Sequence, residues 1–529
     1  MLTRDRILLL LLLLVGAFLL FYNIDNYYFW GDEGTTALYG KNILKYGLPY
    51  GFDGRNGYLF APEYLPLFEP WLALYAAAAS IKIFGGTIFG ERMLFALLGL
   101  LAIFVQYIFV AKYFGNKRLA LINIFMMITS VSFLLFARQC RYYSLVLLLL
   151  PTTAYFYLRF RNRWWEFLPI SLLFILFFFA QYLIAIPSLV ALFLSFFFFD
   201  NRKKAVSYFL KPLLIVIPVT GVYVWWLSGG GDLSGNSHIL QNIYPSDFGR
   251  IILLYFKDYN LTQLMPAGIV LILILIWLNE GLFRKGHPSQ EQRKMMSVLT
   301  MIFIFTVVLS ILSPQISAAD YSDIRYATAI FPLLILVQAF VIEKTFRWKK
   351  AVAIILLGIA VFTNLLTFSP FRSYFSEYIM ENAKPFDNSV KMAVRFLEKR
   401  IHQNDIILVG PNHMVGTMQY YLGDRLLFCS VTDKNNQHAR DEKLPAYMYS
   451  EDTVPDWIVL FGLNVDLPNT ARLLNKLELS LYKTHSLPMF GPDVSRPEIF
   501  WRSFVPITQF PREQGLFILE RVKDKNVRK

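Results

Sequence analysis

Long apolar segments dominate this 529-residue chain and restrict it to one broad fold class. A helix needs about 20 mostly apolar residues to cross roughly 30 Å of hydrocarbon, and its backbone polar groups must be satisfied within the helix itself. The sequence therefore predicts a polytopic α-helical membrane protein with about eleven spans. The predicted spans are residues 7–22, 91–113, 118–137, 142–158, 166–181, 183–199, 207–227, 263–279, 295–314, 326–343 and 350–368.

The distribution of charge supports this prediction and gives the chain an orientation. Only 17% of the residues are charged, against about a quarter in soluble proteins. The net charge of +14 is concentrated in alternate short loops, which favours membrane topology over nucleic-acid binding. By the positive-inside rule the N-terminus is cytoplasmic. The basic loops lie at residues 4–6, 112–118, 159–163, 202–204, 284–294 and 344–350.

Two parts of the chain depart from the pattern of spans. Residues 71–84 form an apolar run too short to cross a membrane, so we place it along the outer surface. Residues 371–529 regain ordinary polarity and alternate helical with strand-like segments, which is typical of a small α/β layer fold. We therefore expect a transmembrane domain over 1–370, with outward loops at 23–90 and 228–262, and an extracytoplasmic soluble α/β domain over 371–529. Its predicted elements are helices at 388–401, 413–422 and 469–480 and strands at 405–410 and 456–462.

An acidic pair, Asp32 and Glu33, follows the first span in the stretch FWGDEGTTALYG. Insertion scales assign about 2.5–3.5 kcal/mol to an Asp at a helix centre, so carboxylates at the end of a span need a polar setting. An ordinary solvated loop would provide one. The aromatic residues at 27–30 and the long insertion that follows favour a pocket at the membrane surface.

Three arginines fall on the predicted outward side, against the positive-inside rule. Arg138 and Arg141 lie in FARQCRYYSL, and Arg325 lies in YSDIRYATAIFPLL. Their side chains either reach lipid headgroups or neutralise an anionic substrate, since the guanidinium fork suits phosphate. For Arg325 there is a further alternative, because the nearby Asp320 and Asp323 could pair with it.

The order of these motifs resembles a known family. The acidic pair after the first span is followed by a proline-rich surface helix. Next come the segments GERMLFALLGLLAIFVQYIFVAKYFG and ARQCRYYSLVLLLL, and finally an RY pair that enters a late span. This order resembles the GT-C glycosyltransferases, specifically the dolichyl-phosphate-mannose-protein O-mannosyltransferases and the bacterial lipid A aminoarabinose transferase. The resemblance covers about 1–370 and is strongest over 28–150. The tail, residues 371–529, is not assigned to a family or to an activity by this resemblance.

The resemblance implies an enzyme that moves a sugar from a polyprenyl-phosphate donor to a hydroxyl acceptor on the outer face of the membrane, with inversion. Asp32 would be the general base, and Glu33 would either contact substrate or hold local structure. The remaining assignments concern the donor phosphate, the acceptor and metal. The donor phosphate would be bound by Arg325 with Tyr326, and by Arg138 or Arg141 with Tyr142. Glu63 and His238 would contact the acceptor or a metal ion. His238 could alternatively be a solvated loop residue.

Metal dependence and the identity of the substrates stay open. The related oligosaccharyltransferases use an acidic-any-acidic motif with a divalent ion, whereas this chain has an adjacent pair. No cofactor is therefore required, although a divalent metal is compatible with the residues. The acceptor is a cell-envelope protein, lipid or polysaccharide, and the other partners are membrane lipids rather than nucleic acid. The expected location is the bacterial inner membrane.

Two other functions compete with the enzyme. A secondary transporter places ionisable residues near the bilayer midplane and often contains two related halves. The predicted spans are nearly free of ionisable residues at their centres, and no repeat is visible. A flippase or exporter of polyprenyl-linked glycans would need the same outward arginines, so the sequence separates it poorly from the enzyme.

Overall fold

The computed structural model forms two compact units. The helical unit comprises Met1–Tyr22, Glu69–Ala73 and Phe95–Ala383, and the mixed unit comprises Asn23–Phe68, Leu74–Leu94 and Lys384–Lys529. The structure describes residues 4–57, 65, 69–161, 163–227, 248–283, 289–312, 322–363, 365–367, 374–383, 387–429, 446–448, 453–461, 478–487 and 516–522.

Helices make up most of the described chain. In chain order they are α1 Arg4–Phe21, α2 Gly31–Tyr46, α3 Trp71–Phe84, α4 Ile88–Phe114, α5 Lys117–Thr129, α6 Val131–Ala137, α7 Tyr143–Arg159, α8 Phe167–Ala180, α9 Tyr182–Phe199, α10 Arg202–Leu227, α11 Phe248–Leu261, α12 Ala267–Phe283, α13 Gln290–Leu312, α14 Phe331–Trp348, α15 Lys350–Phe362, α16 Tyr374–Ala383, α17 Ser389–Glu398 and α18 Val415–Leu422. A 3₁₀ segment, Ile324–Ile330, leads directly into α14.

Among the described residues, five helical segments are long and apolar enough to cross a membrane. They are α4, α9, Arg202–Trp226 within α10, α13, and Ile324–Trp348, which joins the 3₁₀ segment to α14. The other predicted spans are also helical over most of their length, but they are shorter or carry more charge. The chain is an integral membrane protein, and the count of eleven spans stays a prediction.

The predicted third span, 118–137, consists of two helices in the structure and stays a prediction as a membrane crossing. Helices α5 and α6 are bent by 71° at Ser130. The Ser130 hydroxyl accepts a hydrogen bond from the Phe133 amide at 3.4 Å and so caps the start of α6. A side chain that caps a new helix offers the backbone an alternative to continuing the old one.

Some of the polar side chains in the interior of the helical unit form hydrogen bonds with each other. Ser195 of α9 lies 2.6 Å from Ser297 of α13, hydroxyl to hydroxyl. The amide of Gln106 in α4 donates to the Asn123 carbonyl oxygen in α5 at 3.1 Å. Such pairing between helices is what a lipid environment requires, because no water is present to satisfy these groups.

The mixed unit contains a five-stranded sheet in the order β2-β1-β3-β5-β4. Strand β1 is parallel to β2 and β3, whereas β5 is antiparallel to β3 and β4. Helices α17 and α18 contribute apolar side chains to the core on one face of this sheet. The strands are β1 Ile406–Gly410, β2 Leu427–Cys429, β3 Trp457–Phe461, β4 Tyr482–Leu487 and β5 Leu516–Arg521.

The predicted α/β elements of the tail are confirmed where the structure describes them. Helix 388–401 corresponds to α17, helix 413–422 to α18, and the two predicted strands to β1 and β3. Most of the predicted helix at 469–480 lies outside the described residues.

The first loop of the chain packs with this tail. The amide of Asn56 donates to the carbonyl oxygens of Gly423 and Leu426 at 3.0 Å, and its oxygen accepts from the Phe428 amide at 3.0 Å. Asn56 is completely buried. These bonds fix the loop after α2 to the start of β2, which anchors α2 itself.

Candidate functional site

The acidic pair occupies the first turn of α2, where the helix dipole favours negative charge. Two glycines flank it and allow α2 to approach the tail closely. A Cβ atom on Gly34 would lie 2.2 Å from the Thr417 hydroxyl oxygen, and one on Gly31 would lie 2.7 Å from the His413 ring. The Thr417 hydroxyl also donates to the Gly31 carbonyl oxygen at 2.8 Å. The glycine face of the helix is therefore buried against the region around α18.

Glu33 is completely buried in an ion pair with Arg92 of α4. Two parallel hydrogen bonds of 2.7 Å join the guanidinium to the two carboxylate oxygens. The remaining Arg92 nitrogen donates to the carbonyl oxygens of Ile24 and Tyr27, at 2.7 and 3.1 Å. Arg92 thus holds both Glu33 and the chain leading into α2, which is the arrangement of a structural side chain.

Asp32 lies in a different environment from its neighbour. Its residue is partly exposed, whereas Glu33 has no exposed surface. Its backbone carbonyl accepts a hydrogen bond from the Thr36 hydroxyl at 3.0 Å, within the first helical turn. Of the two adjacent acidic residues, Asp32 is the one with solvent-exposed surface.

Aromatic side chains surround the entry to α2, as the sequence predicts. Tyr28 stacks on Tyr421 with 4.4 Å between ring centroids, and Phe29 meets Tyr420 edge to face at 5.2 Å. The Tyr421 hydroxyl accepts a hydrogen bond from the Phe29 amide at 2.9 Å. Burial raises the pKa of the Tyr421 phenol well above its usual range, so this hydroxyl stays neutral.

A second buried carboxyl group belongs to Glu91, next to Arg92 in the sequence. The Tyr420 hydroxyl donates to it at 2.5 Å. Lys41 of α2 lies 3.5 Å above the Tyr420 ring. Burial lowers the pKa of the Lys41 ammonium, and the charge of Glu91 partly offsets this. The carboxyl, phenol and amine thus form one buried polar cluster between α2, α4 and α18.

The helical unit brings together four of the residues predicted to bind the donor phosphate. Electrostatic interactions connect Tyr142 with Arg141, Arg325 and Tyr326. The Arg325 guanidinium makes two hydrogen bonds of 2.8 Å with the carboxylate of Asp323. Pairing with Asp323, an alternative that the sequence leaves open, is therefore what the structure shows for Arg325.

Arg138 and Arg141 have different surroundings. The Arg138 guanidinium is buried and donates to the Tyr378 hydroxyl at 2.8 Å and to the Asn382 carbonyl oxygen at 2.7 Å. It thereby connects α16 to the end of α6. Arg141 is paired with Glu69 at 3.6 Å between nitrogen and carboxylate oxygen. That distance is longer than a good charge-assisted hydrogen bond.

The remaining predicted site residues are not described. Glu63 and His238 lie outside the described residues. Within the part of the chain that the structure describes, no group of three or more His, Cys, Asp or Glu side chains is placed to hold a metal ion. The proposed carboxylates belong to the mixed unit, and the proposed phosphate-binding arginines belong to the helical unit.

Sequence patterns did not indicate that Arg92, Lys41 and Tyr420 lie at this site. For Arg92 a signal existed, because Glu91 and Arg92 introduce two adjacent charges at the start of an otherwise apolar span. Charges in that position need partners. Lys41 and Tyr420 had no such signal, since each looks like an ordinary residue of an amphipathic segment.

Solved structures with the GT-C fold resemble this chain over most of its length. The structure of ArnT from Cupriavidus metallidurans bound to undecaprenyl phosphate has a TM-score of 0.56 at 12% identity, and the match covers 97% of each chain. AglB from Archaeoglobus fulgidus, an oligosaccharyltransferase in complex with an inhibitory peptide and a dolichol-phosphate, has a TM-score of 0.53 at 12% identity, over 91% of this chain and 72% of that chain. The oligosaccharyltransferase of that organism in complex with Zn and sulfate has a TM-score of 0.51 at 14% identity, over 90% and 71%.

These comparisons define the class of fold. ArnT, the lipid A aminoarabinose transferase, and AglB are both GT-C fold enzymes. The predicted resemblance to GT-C proteins is thus confirmed at the level of the fold. No family model matches the sequence, and no curated protein matches it. At these identities the activity has to be argued from the residues.

Proposed function

We propose that this protein is a membrane glycosyltransferase that moves a sugar from a polyprenyl-phosphate donor to a hydroxyl acceptor. The GT-C fold supports the class of reaction. The observation that carries the assignment of the base is the contrast within one helical turn. Glu33 is sequestered by Arg92, whereas Asp32 is partly exposed beside it. A general base must reach the proton that it removes.

The proposed reaction proceeds by a single displacement. An Asp32 carboxylate oxygen accepts the proton of the acceptor hydroxyl, and the acceptor oxygen attacks the anomeric carbon from the face opposite the phosphate. The bond between the anomeric carbon and the phosphate oxygen breaks, its electron pair leaves with polyprenyl phosphate, and the configuration inverts. General base catalysis of this kind contributes about 10²–10⁴-fold.

Arg325 and Arg141, together with Tyr142 and Tyr326, are proposed to bind the donor phosphate. Preorganised positive charge stabilises the negative charge that develops on the leaving phosphate. Since Arg325 pairs with Asp323 in this structure, donor binding would exchange a carboxylate for a phosphate at that guanidinium. Arg138 is assigned a structural role because its donors are directed at Tyr378 and Asn382.

The orientation and the remaining residues complete the proposal. The N-terminus is cytoplasmic and the tail extracytoplasmic, in a bacterial inner membrane, because the basic loops alternate along the chain. Glu63 and His238 remain proposed contacts for acceptor or metal.

The decisive experiment incubates the purified full-length protein with a panel of polyprenyl-phosphate sugars and a hydroxyl acceptor. Asp32→Asn should lower transfer by about 10²–10⁴-fold while donor binding is retained. The control is Asp25→Asn, which removes an exposed carboxylate from the same loop and should leave transfer unchanged.

The outcomes separate the competing functions. A flippase or exporter would bind the donor, release it with its sugar bond intact, and respond equally to both substitutions. Near-normal turnover in Asp32→Asn, together with a Glu33→Gln variant that is folded by thermal unfolding but inactive, would reverse the roles of the two carboxylates. Full activity in both variants would remove the acidic pair from catalysis.

A further inference from the structure

A polar pocket of about 490 Å³ lies in the helical unit, among the predicted cytoplasmic loops. It is formed where α4 ends, α5 and α13 begin, and α14 ends. Its charged lining residues are Lys117, Glu291, Lys294 and Arg347. None of these residues belongs to the proposed glycosyltransferase site, so the pocket needs its own explanation.

The pocket is lined by more positive than negative charge. Lys117, Lys294 and Arg347 contribute three cations, and Glu291 contributes one anion. The Lys294 ammonium makes no hydrogen bond or ion pair with any residue that the structure describes, and its one aromatic contact is the Tyr113 ring at 5.6 Å. Lys117 is mostly exposed and lies 4.0 Å from Asp5. The charges of Asp200 and Glu291 act on Lys294, but Asp5 and Asp200 are not among the described residues that line the pocket. Within the lining, the two ammonium groups can therefore contact a ligand.

A network of ion pairs holds the rest of the pocket in place. Arg347 donates to the buried Glu343 at 2.7 Å and to Glu291 at 3.2 Å. Lys344 also pairs with Glu291, at 3.1 Å. The Asn116 amide donates to Glu343 at 3.1 Å. Both carboxylates are thus paired with Arg347, and neither forms an ion pair with Lys294 among the contacts of the described residues.

Backbone geometry adds to the positive potential. Gly115 adopts a φ of 69°, which turns the chain sharply between α4 and α5. Asn116 then caps α5, its oxygen accepting from the Leu119 amide at 3.1 Å. Helix N-termini carry a partial positive charge, and α5 and α13 both begin with residues that line the pocket.

We propose that this pocket binds a phosphate-bearing anion, supplied either by the headgroup of an anionic lipid or by soluble phosphate. Three of the lining side chains, Lys117, Lys294 and Arg347, are cationic and one, Glu291, is a carboxylate, so the lining itself is positive on balance. Basic pockets between helices on the cytoplasmic side are a known means of holding anionic headgroups. The site is distinct from the proposed donor site and does not depend on catalysis.

The test measures binding to the purified full-length protein by native mass spectrometry. The probes are phosphatidylglycerol, the zwitterionic phosphatidylcholine, and inorganic phosphate. The variant is Lys117→Gln/Lys294→Gln, and the matched control is Arg202→Gln/Lys203→Gln, which removes two positive charges from another basic loop. At about a fivefold change per cationic side chain, the pocket variant should bind phosphatidylglycerol about thirtyfold more weakly, and the control should bind normally.

Each result decides the proposal. Loss of phosphatidylglycerol binding in the pocket variant alone, with phosphate binding weakly or not at all, identifies a lipid headgroup. Binding of inorganic phosphate with the same dependence on the two lysines identifies soluble phosphate. Equal effects in the pocket and control variants would indicate general surface charge and overturn the proposal, as would unchanged binding in the pocket variant. Thermal unfolding of both variants verifies that they are folded.

Discussion

At the scale of residues, two adjacent acidic residues have different surroundings because a helix directs neighbouring side chains to different faces. Glu33 points to Arg92, which fixes it with two hydrogen bonds. Asp32 remains accessible at the same helix N-terminus. The sequence motif DE therefore combines a buried, ion-paired carboxylate with a partly exposed acidic residue, which is the contrast behind the proposal of Asp32 as the base.

The ion pair between Glu33 and Arg92 should behave as a buried pair. Removing one partner leaves an uncompensated buried charge, which costs about 3–5 kcal/mol, whereas replacing both is often far less damaging. We expect Glu33→Gln and Arg92→Met each to lower the midpoint of thermal unfolding clearly. The double variant should recover much of the loss. Strict additivity of the two single effects would contradict a direct pair.

Arg325 should contribute to donor affinity in spite of its pairing with Asp323. Charge-assisted hydrogen bonds are worth about 1.5–3 kcal/mol, so Arg325→Ala should weaken binding of a polyprenyl-phosphate sugar by roughly ten- to a hundredfold. Arg325→Lys should recover only part, because the fork geometry is lost. Asp323→Asn should strengthen binding by removing the competing carboxylate. Unchanged affinity in Arg325→Ala, measured directly with labelled donor, would exclude Arg325 from the site.

Sequence patterns identified the outward-facing arginines as notable residues, but they did not indicate which side chains these arginines contact. The violation of the positive-inside rule drew attention to Arg138, Arg141 and Arg325 together, yet their surroundings differ. Arg138 is buried against Tyr378 and Asn382, more than 200 residues away in the chain. Such long-range pairings leave no periodic signal in a single sequence.

At the scale of elements, the glycines of α2 determine how closely this helix packs. Gly31 and Gly34 lie one turn apart and therefore share a face. Their missing side chains admit His413 and Thr417. This contact holds the first turn of α2, and with it Asp32, against the α18 region.

Gly34→Ala should destabilise the mixed unit although alanine is the better helix former. The new Cβ would lie 2.7 Å from the Thr417 Cα atom, so the backbone has to shift. Overpacking of this kind costs about 1–3 kcal/mol, against roughly 1 kcal/mol gained in helix propensity. We expect a lower unfolding midpoint and reduced transfer activity. Gly86→Ala is the control, because a Cβ there meets only Ile81 at 3.7 Å; an equal effect in both variants would remove the packing argument.

At the scale of the whole molecule, hydrophobic periodicity predicted the helical character of the chain, and apolar strand runs predicted β1 and β3. Neither pattern indicated that residues 23–57 pack with the tail. This packing depends on side chains such as Asn56 and Thr417, which form hydrogen bonds with backbone groups far away in the sequence. Strands β2, β4 and β5 were missed for a related reason. They are short or partly exposed, and neighbouring strands specify them more than their own residues do.

The break between α5 and α6 makes the topology of the whole molecule testable. If residues 118–137 cross the membrane in spite of the 71° bend, the predicted spans place a reporter after Lys204 inside the cell and one after Pro370 outside. If the bent pair is re-entrant, one crossing is lost and both reporters change sides. A third fusion after Gly115 precedes the bent pair and should be cytoplasmic in either case, which makes it the internal control.

The basic loops favour the first outcome. The clusters at 159–163, 202–204 and 344–350 follow the bent pair and share the cytoplasmic side with 112–118 only if that pair crosses. Alkaline phosphatase, active only outside the cytoplasm, should therefore be active after Pro370 and inactive after Lys204 and Gly115. The reverse pattern at the two later positions would put the tail in the cytoplasm. A cytoplasmic tail would place the sheet of the mixed unit, and the proposed transfer reaction with it, on the wrong side for an outward-facing donor.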